Sequence, residues 1–130
     1  MSALRLGSGA PWEDVVGYSR VVVCGESAWV SGTTATVDGA VVHPGEAGAQ
    51  ARVALQGIRE ALEQAGFSLG DVVRTRIFVT DISRWEEVGR AHGEFFGSVL
   101  PATSMVQVAA LIDPAMMVEI EADAVRGAGS

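Results

Sequence analysis

The sequence predicts an α+β fold in which two helices cover one face of a mixed β-sheet. Period-two alternation of apolar and polar residues predicts strands near both ends of the chain and one in the middle. Apolar residues three and four positions apart predict two helices, one on either side of the middle strand. Both helices can bury their apolar stripes against a single sheet. We therefore expect residues 1–130 to form one domain, a length sufficient for one hydrophobic core.

The N-terminal part is predicted to contain a hairpin. Residues 1–14 hold glycine and proline without a periodic pattern, so we expect an irregular lead-in. Strands are predicted at 17–24 and 27–33, with a glycine-containing turn between them. Asp38-Gly39 is typical of a tight turn, and a short strand piece follows it.

The first helix is predicted over residues 46–65. Its apolar stripe is rich in alanine, which indicates that the helix lies close to its sheet. Gln50 falls on the opposite, solvent-facing side of the helical pattern. Gly66 follows as a C-terminal stop, because glycine adopts the left-handed conformation that ends helices. A period-two strand is then predicted at 71–80.

The second helix is predicted to begin with a capping box. Ser83 and Glu86 have the spacing at which a hydroxyl and a carboxylate each satisfy a free amide at a helix start. The inner, apolar stripe of this helix includes Trp85 and His92. Pro101 prevents the helix from continuing.

Two further strands, at 103–110 and 118–124, complete the predicted sheet. Three carboxylates share one face of the last strand: Glu119, Glu121 and Asp123. Unpaired buried charge is costly, so this face meets water or borders a polar cleft. Arg74 and Arg76 project from the corresponding face of strand 71–80. We therefore expect this sheet face to meet other subunits through ion pairs or water.

Composition narrows the classes of function. The net charge is −7 and the nine basic residues, all arginine, are dispersed, so we expect no nucleic-acid partner. Cys24 is the single cysteine, which excludes an intrachain disulfide. No apolar run approaches the roughly 20 residues of a membrane span, and no signal peptide is apparent; we expect a cytoplasmic protein without a membrane partner. His43 and His92 lack the spacing of metal ligands, so neither a metal nor a cofactor is expected.

Several segments occur together in a recognisable order, namely GYSR, VSGTT, AGFSLGDVVRTRIFVTDI, HGEFFG, PATSMVQV and VEIEADAV. Over about residues 17–126 the chain resembles the reactive intermediate deaminase (Rid) family, also called the YjgF or endoribonuclease L-PSP family. The resemblance implies a chorismate-mutase-like fold. It also implies a homotrimer with small-molecule clefts between its subunits.

The resemblance assigns cleft residues to particular positions. Tyr18, Ser31, Gly32 and Glu119 match cleft residues of family members that hydrolyse imines formed from enamines. Family members bind the substrate carboxylate through an arginine, and in this chain Thr103 stands at the position of that arginine. One neutral hydroxyl is no substitute for a bidentate guanidinium. The resemblance therefore places the chain in an arginine-lacking subgroup, without the standard 2-imino-acid deaminase activity.

Three more residues are candidates for ligand binding. Met105 stands where the family has a cysteine, and His92 stands where it has a tyrosine. His92 is either a general base near neutral pH or a packed helix residue with one satisfied hydrogen bond. Arg76 either supplies the cation that Thr103 does not, or forms an ion pair with carboxylates of the last strand across the sheet face between subunits.

We predict a small enzyme that hydrolyses or tautomerises an imine, an enamine or a related carbonyl compound. Glu119 is the candidate acid/base, or else a solvated carboxylate like the others on its strand. Thr103 is either a hydroxyl that contacts the ligand or a strand-forming residue tolerated where the arginine was lost. The alternative is a non-catalytic ligand-binding or regulatory trimer, in which the cleft remains without chemistry. Ribonuclease activity, which one family name suggests, fits poorly with the charge of −7.

Overall fold

A computed structural model describes residues 2–129. The strands within that range are β1 (Leu4–Leu6), β2 (Val21–Cys24), β3 (Ser27–Thr33), β4 (Thr36–Val37), β5 (Ala40–Val41), β6 (Val72–Val79), β7 (Ala102–Gln107) and β8 (Val118–Val125). The two α-helices are α1 (Ala47–Gln64) and α2 (Trp85–Phe96). Six strands form one sheet in the order β1-β2-β3-β8-β6-β7, and β4 pairs with β5 in a separate hairpin.

The sheet is mixed, as predicted. β6 and β7 are parallel, and the other neighbouring strands of the sheet are antiparallel. Parallel neighbours need a crossover connection, which α2 supplies. Both helices contribute to one core with the inner face of the sheet, where Ile58, Val88, Ile77 and Ile120 are almost completely buried. The α+β class with two helices on one sheet face is therefore confirmed.

Helix α1 agrees with its predicted bounds to within one residue at each end. Its buried residues are mainly alanine, leucine and isoleucine, so its backbone approaches β3 and β8 closely. Gly66 has a φ of +83°, and the amide of Phe67 donates to the carbonyl of Leu62 at 2.8 Å. In residues 2–129, no helix has the length and apolar character needed to cross a membrane.

The predicted irregular lead-in over residues 1–14 needs correction at its start. Leu4–Leu6 form an edge strand that pairs with β2, so that Arg5 lies opposite Val22. Three residues are too few to show a periodic pattern, and tertiary pairing decides their conformation. Glycine and proline enter only after this strand, from Gly7 onward.

The predicted strand 17–24 is also shorter than expected. Residues Glu13–Gly17 form a π-helical turn, and β2 begins only at Val21. Gly17 has a φ of +88°, which glycine adopts without the steric cost that a side chain brings. The turn therefore ends at a residue that also breaks strand geometry.

The predicted capping box before α2 is wrong. Asp81, not Ser83, caps this region: its Oδ1 accepts from the Ser83 amide at 3.0 Å and from the Ser83 hydroxyl at 2.6 Å. A short 3-10 turn over Ile82–Arg84 then leads into the helix. Trp85, predicted on the inner stripe, is 57% exposed, because it is the first residue of α2 and lies beyond the edge of the core.

Gln50 is fully buried, although its helical position predicted solvent exposure. Its Nε2 donates to the carbonyls of Val42 (3.2 Å), His43 (3.3 Å) and Ala115 (2.9 Å). Its Oε1 accepts from the Met117 amide at 2.8 Å. One side chain thus ties α1 to the loop after β5 and to the loop that leads into β8. Buried polar groups of loops need such partners.

We expect Gln50→Leu to lower the free energy of unfolding by about 3 kcal/mol, because it leaves several buried backbone groups without partners. Urea unfolding followed by circular dichroism measures this loss. Gln56→Leu, on the exposed side of the same helix, is the matched control and is expected to change stability by less than about 0.5 kcal/mol. Equal losses in the two variants would contradict the role assigned to Gln50.

Candidate functional site

A cavity of about 1210 Å³ opens beside β3. Its wall includes the N-terminal segment, the β4–β5 hairpin and one side of α1. Its lining includes four of the site residues predicted from the sequence and one residue that was not predicted. We call these five residues the Glu119 pocket: Tyr18, Arg20, Ser31, Gly32 and Glu119.

The Glu119 carboxyl group lies directly against the backbone of β3. A Cβ atom on Gly32 would be 2.7 Å from Cδ and 2.9 Å from Oε1 of Glu119, closer than real contacts allow. The register of β3 against β8 shifts between Val30 and Thr33, as in a β-bulge. Glycine in this irregular stretch therefore makes room for the carboxyl group.

Arg20 is the member of the pocket that sequence reasoning missed. Its Nη2 donates to the carbonyls of Ser31 (2.6 Å) and Gly32 (2.8 Å). Burial lowers the pKa of the guanidinium, and its Nε is buried without a hydrogen-bond partner among the described residues. The sequence spacing could have indicated Arg20, because it follows Tyr18 by two residues and an extended chain puts both side chains on one face.

The Ser31 hydroxyl already has a partner for its proton. Ser31 Oγ donates to the carbonyl of Ser19 at 2.6 Å, and the Ser31 amide donates to the carbonyl of Arg20 at 3.0 Å. The hydroxyl can therefore accept a hydrogen bond from a ligand without rearrangement, but it has no second proton to donate.

The surroundings of Glu119 raise the pKa of its carboxyl group. Burial is the main cause of its raised pKa, the negative charge of Glu121 adds to the effect, and the positive charge of Arg20 opposes it. Burial also raises the pKa of Tyr18. A carboxyl group that keeps its proton to higher pH is suited to act as a general acid.

Three other polar side chains form a separate group, which we call the Thr103 triad: His92, Thr75 and Thr103. The Nε2 of His92 lies 2.8 Å from Thr75 Oγ1, which lies 2.8 Å from Thr103 Oγ1. Thr75 is fully buried, and Thr103 is exposed. Burial lowers the pKa of His92. Sequence reasoning missed Thr75, although a threonine within a buried apolar stripe is itself a sign of a polar partner.

The triad and the Glu119 pocket belong to opposite faces of the sheet. Thr103 is paired with Thr75, whose side chain faces the helices. Glu119 is paired with Phe78, on the face without helices. Met105 packs against the core on the helix side. One chain therefore brings Tyr18, Ser31 and Gly32 to Glu119, and it places the other predicted ligand-binding residues elsewhere.

Arg76 lies on the open sheet face and is already paired. Its Nη1 is 3.3 Å from Glu121 Oε1 and 3.3 Å from Asp123 Oδ2. It lines a smaller depression of about 400 Å³ beside Trp29, and it does not line the Glu119 pocket. Of the two interpretations of Arg76, the structure shows the ion pair, formed within one chain.

Proton transfer and polar binding are the chemistry that these side chains offer. Glu119 can hold or release a proton, and the hydroxyls of Tyr18 and Thr103 can orient a ligand. Arg20 presents a cation at the pocket wall. In the part of the chain that the structure describes, no three His, Cys, Asp or Glu side chains are grouped so as to hold a metal ion.

Comparison with known proteins gives consistent matches over most of the chain. The family profile described as Endoribonuclease L-PSP matches residues 10–126. An uncharacterized protein of Streptomyces coelicolor is 37% identical over 124 residues, which are 95% of this chain and 92% of that protein. The 2-iminobutanoate/2-iminopropanoate deaminase of Escherichia coli is 38% identical over 86 residues, which are 64% of this chain and 66% of that enzyme.

Comparison with solved structures finds proteins of the same fold. Rv2704 of Mycobacterium tuberculosis, described as a member of the YjgF/YER057c/UK114 family, is 52% identical with a TM-score of 0.87, over 95% of this chain and 99% of that one. TdcF of E. coli, solved with bound serine, is 28% identical with a TM-score of 0.78, over 95% of this chain and 94% of that one. These matches confirm the chorismate-mutase-like fold that the sequence resemblance implied.

We expect Glu121→Gln to lower the pKa of Glu119, because it removes a negative charge that raises this pKa. Carbon-13 NMR titration of the glutamate carboxyl groups measures the shift. Glu63→Gln, which removes an equal charge from the exposed end of α1, is the matched control and should leave the Glu119 titration unchanged. An unchanged or higher pKa in Glu121→Gln would contradict the electrostatic account of the pocket.

Proposed function

We propose, because this chain belongs to the endoribonuclease L-PSP family, that it is a small-molecule enzyme acting on an imine, an enamine or a related carbonyl compound. The observation that carries the proposal is the position of Glu119. Its carboxyl group is half-buried against Gly32, has a raised pKa and lines an open cavity. These are the properties expected of a general acid that meets a small neutral nitrogen group.

In this proposal Glu119 supplies the proton that makes an imine reactive. Protonation of the nitrogen draws electrons from the C=N carbon, so that water can attack the carbon. For an enamine, the same group can protonate the carbon and generate the imine. Tyr18 and Ser31 orient the substrate, with Ser31 accepting a hydrogen bond.

Because of Thr103, we do not propose standard 2-iminopropanoate deamination for this protein. The E. coli relative is named for that activity, but Thr103 offers one neutral hydroxyl where the resemblance expects an arginine. A bidentate charge-assisted contact with a carboxylate is worth roughly 2–3 kcal/mol. Loss of such a contact changes the preferred substrate more than it changes the acid/base chemistry.

We also propose that the complete site is formed by two chains of a homotrimer. Family members are homotrimers that bind small molecules. Within one chain, Glu119 and Thr103 face opposite sides of the sheet, so a ligand that contacts both must lie between two copies. β7 is an exposed edge strand. Half-exposed Trp29 and Val106 supply apolar surface for such an assembly.

We expect Glu119→Gln to abolish hydrolysis while leaving the oligomer intact. The amide has nearly the same shape as the carboxyl group but cannot donate an acidic proton. A panel of imines, generated in situ by amino-acid oxidases, is tested for ammonia release, and sedimentation reports the assembly. Full activity of this variant would overturn the mechanism. No turnover by the parent, with saturable thermal stabilisation by a ligand, would instead favour the non-catalytic alternative.

Co-expression of Glu119→Gln with Thr103→Val tests the two-chain site. Each variant alone is expected to have little activity. Random assembly gives about one cleft in four with an intact Glu119 from one chain and an intact Thr103 from its neighbour, so about a quarter of the parent activity should return. A mixture no more active than the two variants measured separately would contradict a shared cleft.

A further inference from the structure

We propose that the Thr103 triad is a proton relay, in which His92 acts through Thr75 on the exposed hydroxyl of Thr103. The proposal deepens the proposed function and rests on it, because the relay supplies a base for the reaction in which Glu119 supplies the acid. Thr103 is the member that meets the ligand. Thr75 and His92 act through it, as positioning and proton-accepting groups.

Neutral His92 sets one direction of the hydrogen bonds. When Nε2 carries no proton, it accepts from the Thr75 hydroxyl across 2.8 Å. Thr75 Oγ1 has then given its only proton away, and it accepts from the Thr103 hydroxyl across 2.8 Å. Thr103 therefore presents lone pairs outward, ready to accept a proton from water or ligand.

Protonated His92 reverses both bonds without moving an atom other than hydrogen. Nε2–H now donates to Thr75, and the Thr75 hydroxyl donates to Thr103. The Thr103 proton is then free for a ligand, or for the carbonyl of Pro101 at 3.2 Å. Every hydrogen bond is satisfied in both states, so the triad can carry a proton between the half-buried ring and the surface.

Packing alone does not account for the triad. Thr75 shares its strand face with Ile77 and Val79, which are almost completely buried, and a valine would fill the same volume without needing a partner. The His92 ring lies 4.7 Å from the Phe96 ring, while its Nε2 is directed at the Thr75 hydroxyl.

Burial lowers the pKa of His92. Two arginines of α1 that reach across to α2 are engaged with other groups there: Arg52 binds Glu94, and Arg59 lies over Phe95. His92 is thus neutral near physiological pH and able to accept a proton.

In the first step of the hydrolysis, the relay takes up the proton that the attacking water loses. The water oxygen bonds to the imine carbon, the C=N π pair moves to nitrogen, and nitrogen takes the Glu119 proton. The water proton passes to Thr103, the Thr103 proton to Thr75, and the Thr75 proton to His92 Nε2. The products are a carbinolamine, a Glu119 carboxylate and protonated His92.

The second step restores both groups. The Glu119 carboxylate takes the carbinolamine hydroxyl proton while C=O forms and the C–N bond breaks. The relay runs backwards and delivers the His92 proton to the leaving nitrogen through Thr75 and Thr103. Ammonia leaves, and the enzyme returns to its starting protonation state.

Thr75→Val is the decisive variant because it keeps the buried volume and removes the hydroxyl. We expect kcat to fall at least about tenfold with little change in KM. Parent kcat should decline at acid pH as His92 becomes protonated, and this acidic decline should disappear in Thr75→Val. Thr75→Ser, which restores a hydroxyl, is the matched control and should recover most of kcat together with the acidic decline.

His92→Gln provides a second test in case Thr75→Val does not fold. Glutamine can bond to Thr75 but cannot take a proton, so the expected result is again a lower kcat without the acidic decline. Parent-like kcat and pH dependence in Thr75→Val or His92→Gln would overturn the relay. If Glu119→Gln is inactive in the same assay, such parent-like behaviour of Thr75→Val or His92→Gln would contradict the relay and leave the proposed function in place. Full activity of Glu119→Gln, or no turnover by the parent, would remove the proposed function and the relay with it.

Discussion

The irregularity in β3 is the constraint on which the Glu119 pocket depends. Where β3 loses register with β8, between Val30 and Thr33, the carbonyls of Ser31 and Gly32 become available to Arg20. The missing side chain at Gly32 leaves the space that the Glu119 carboxyl group occupies. A regular ladder would use those carbonyls for strand pairing and would keep Glu119 at ordinary cross-strand distance. The pocket is therefore a property of the bulge more than of any single side chain.

The sequence allowed the sheet, the helices and the faces of the strands to be predicted, because these follow from local periodicity. It also brought out Glu119, since three carboxylates on one strand face require an explanation. Arg20 and Thr75 were missed because their partners come from tertiary structure: two carbonyls freed by a bulge, and side chains from α2 and β7. Gln50 was misplaced for the same reason, since a helical pattern shows that a position faces away from the sheet but not that two loops cover it.

Two proton-handling groups of opposite character occur on the two faces of one sheet. Glu119 is an acid whose pKa is raised, and His92 is a base whose pKa is lowered; burial is the first cause in both cases. Burial thus shifts each pKa toward the neutral form, which is the reactive form for a proton donor in one case and a proton acceptor in the other. Because the sheet itself separates them, they cannot neutralise each other within a chain, and only assembly can direct both at one ligand.

The exposed edge strand β7 has a consequence for handling the protein. Ala102–Gln107 lie at the end of the sheet, with one row of amide and carbonyl groups left without a strand partner and Val106 half-exposed beside them. Such an edge is a template for pairing with other chains. A subunit separated from its neighbours is thus open to pairing with other chains along β7, which makes dissociation a route to aggregation.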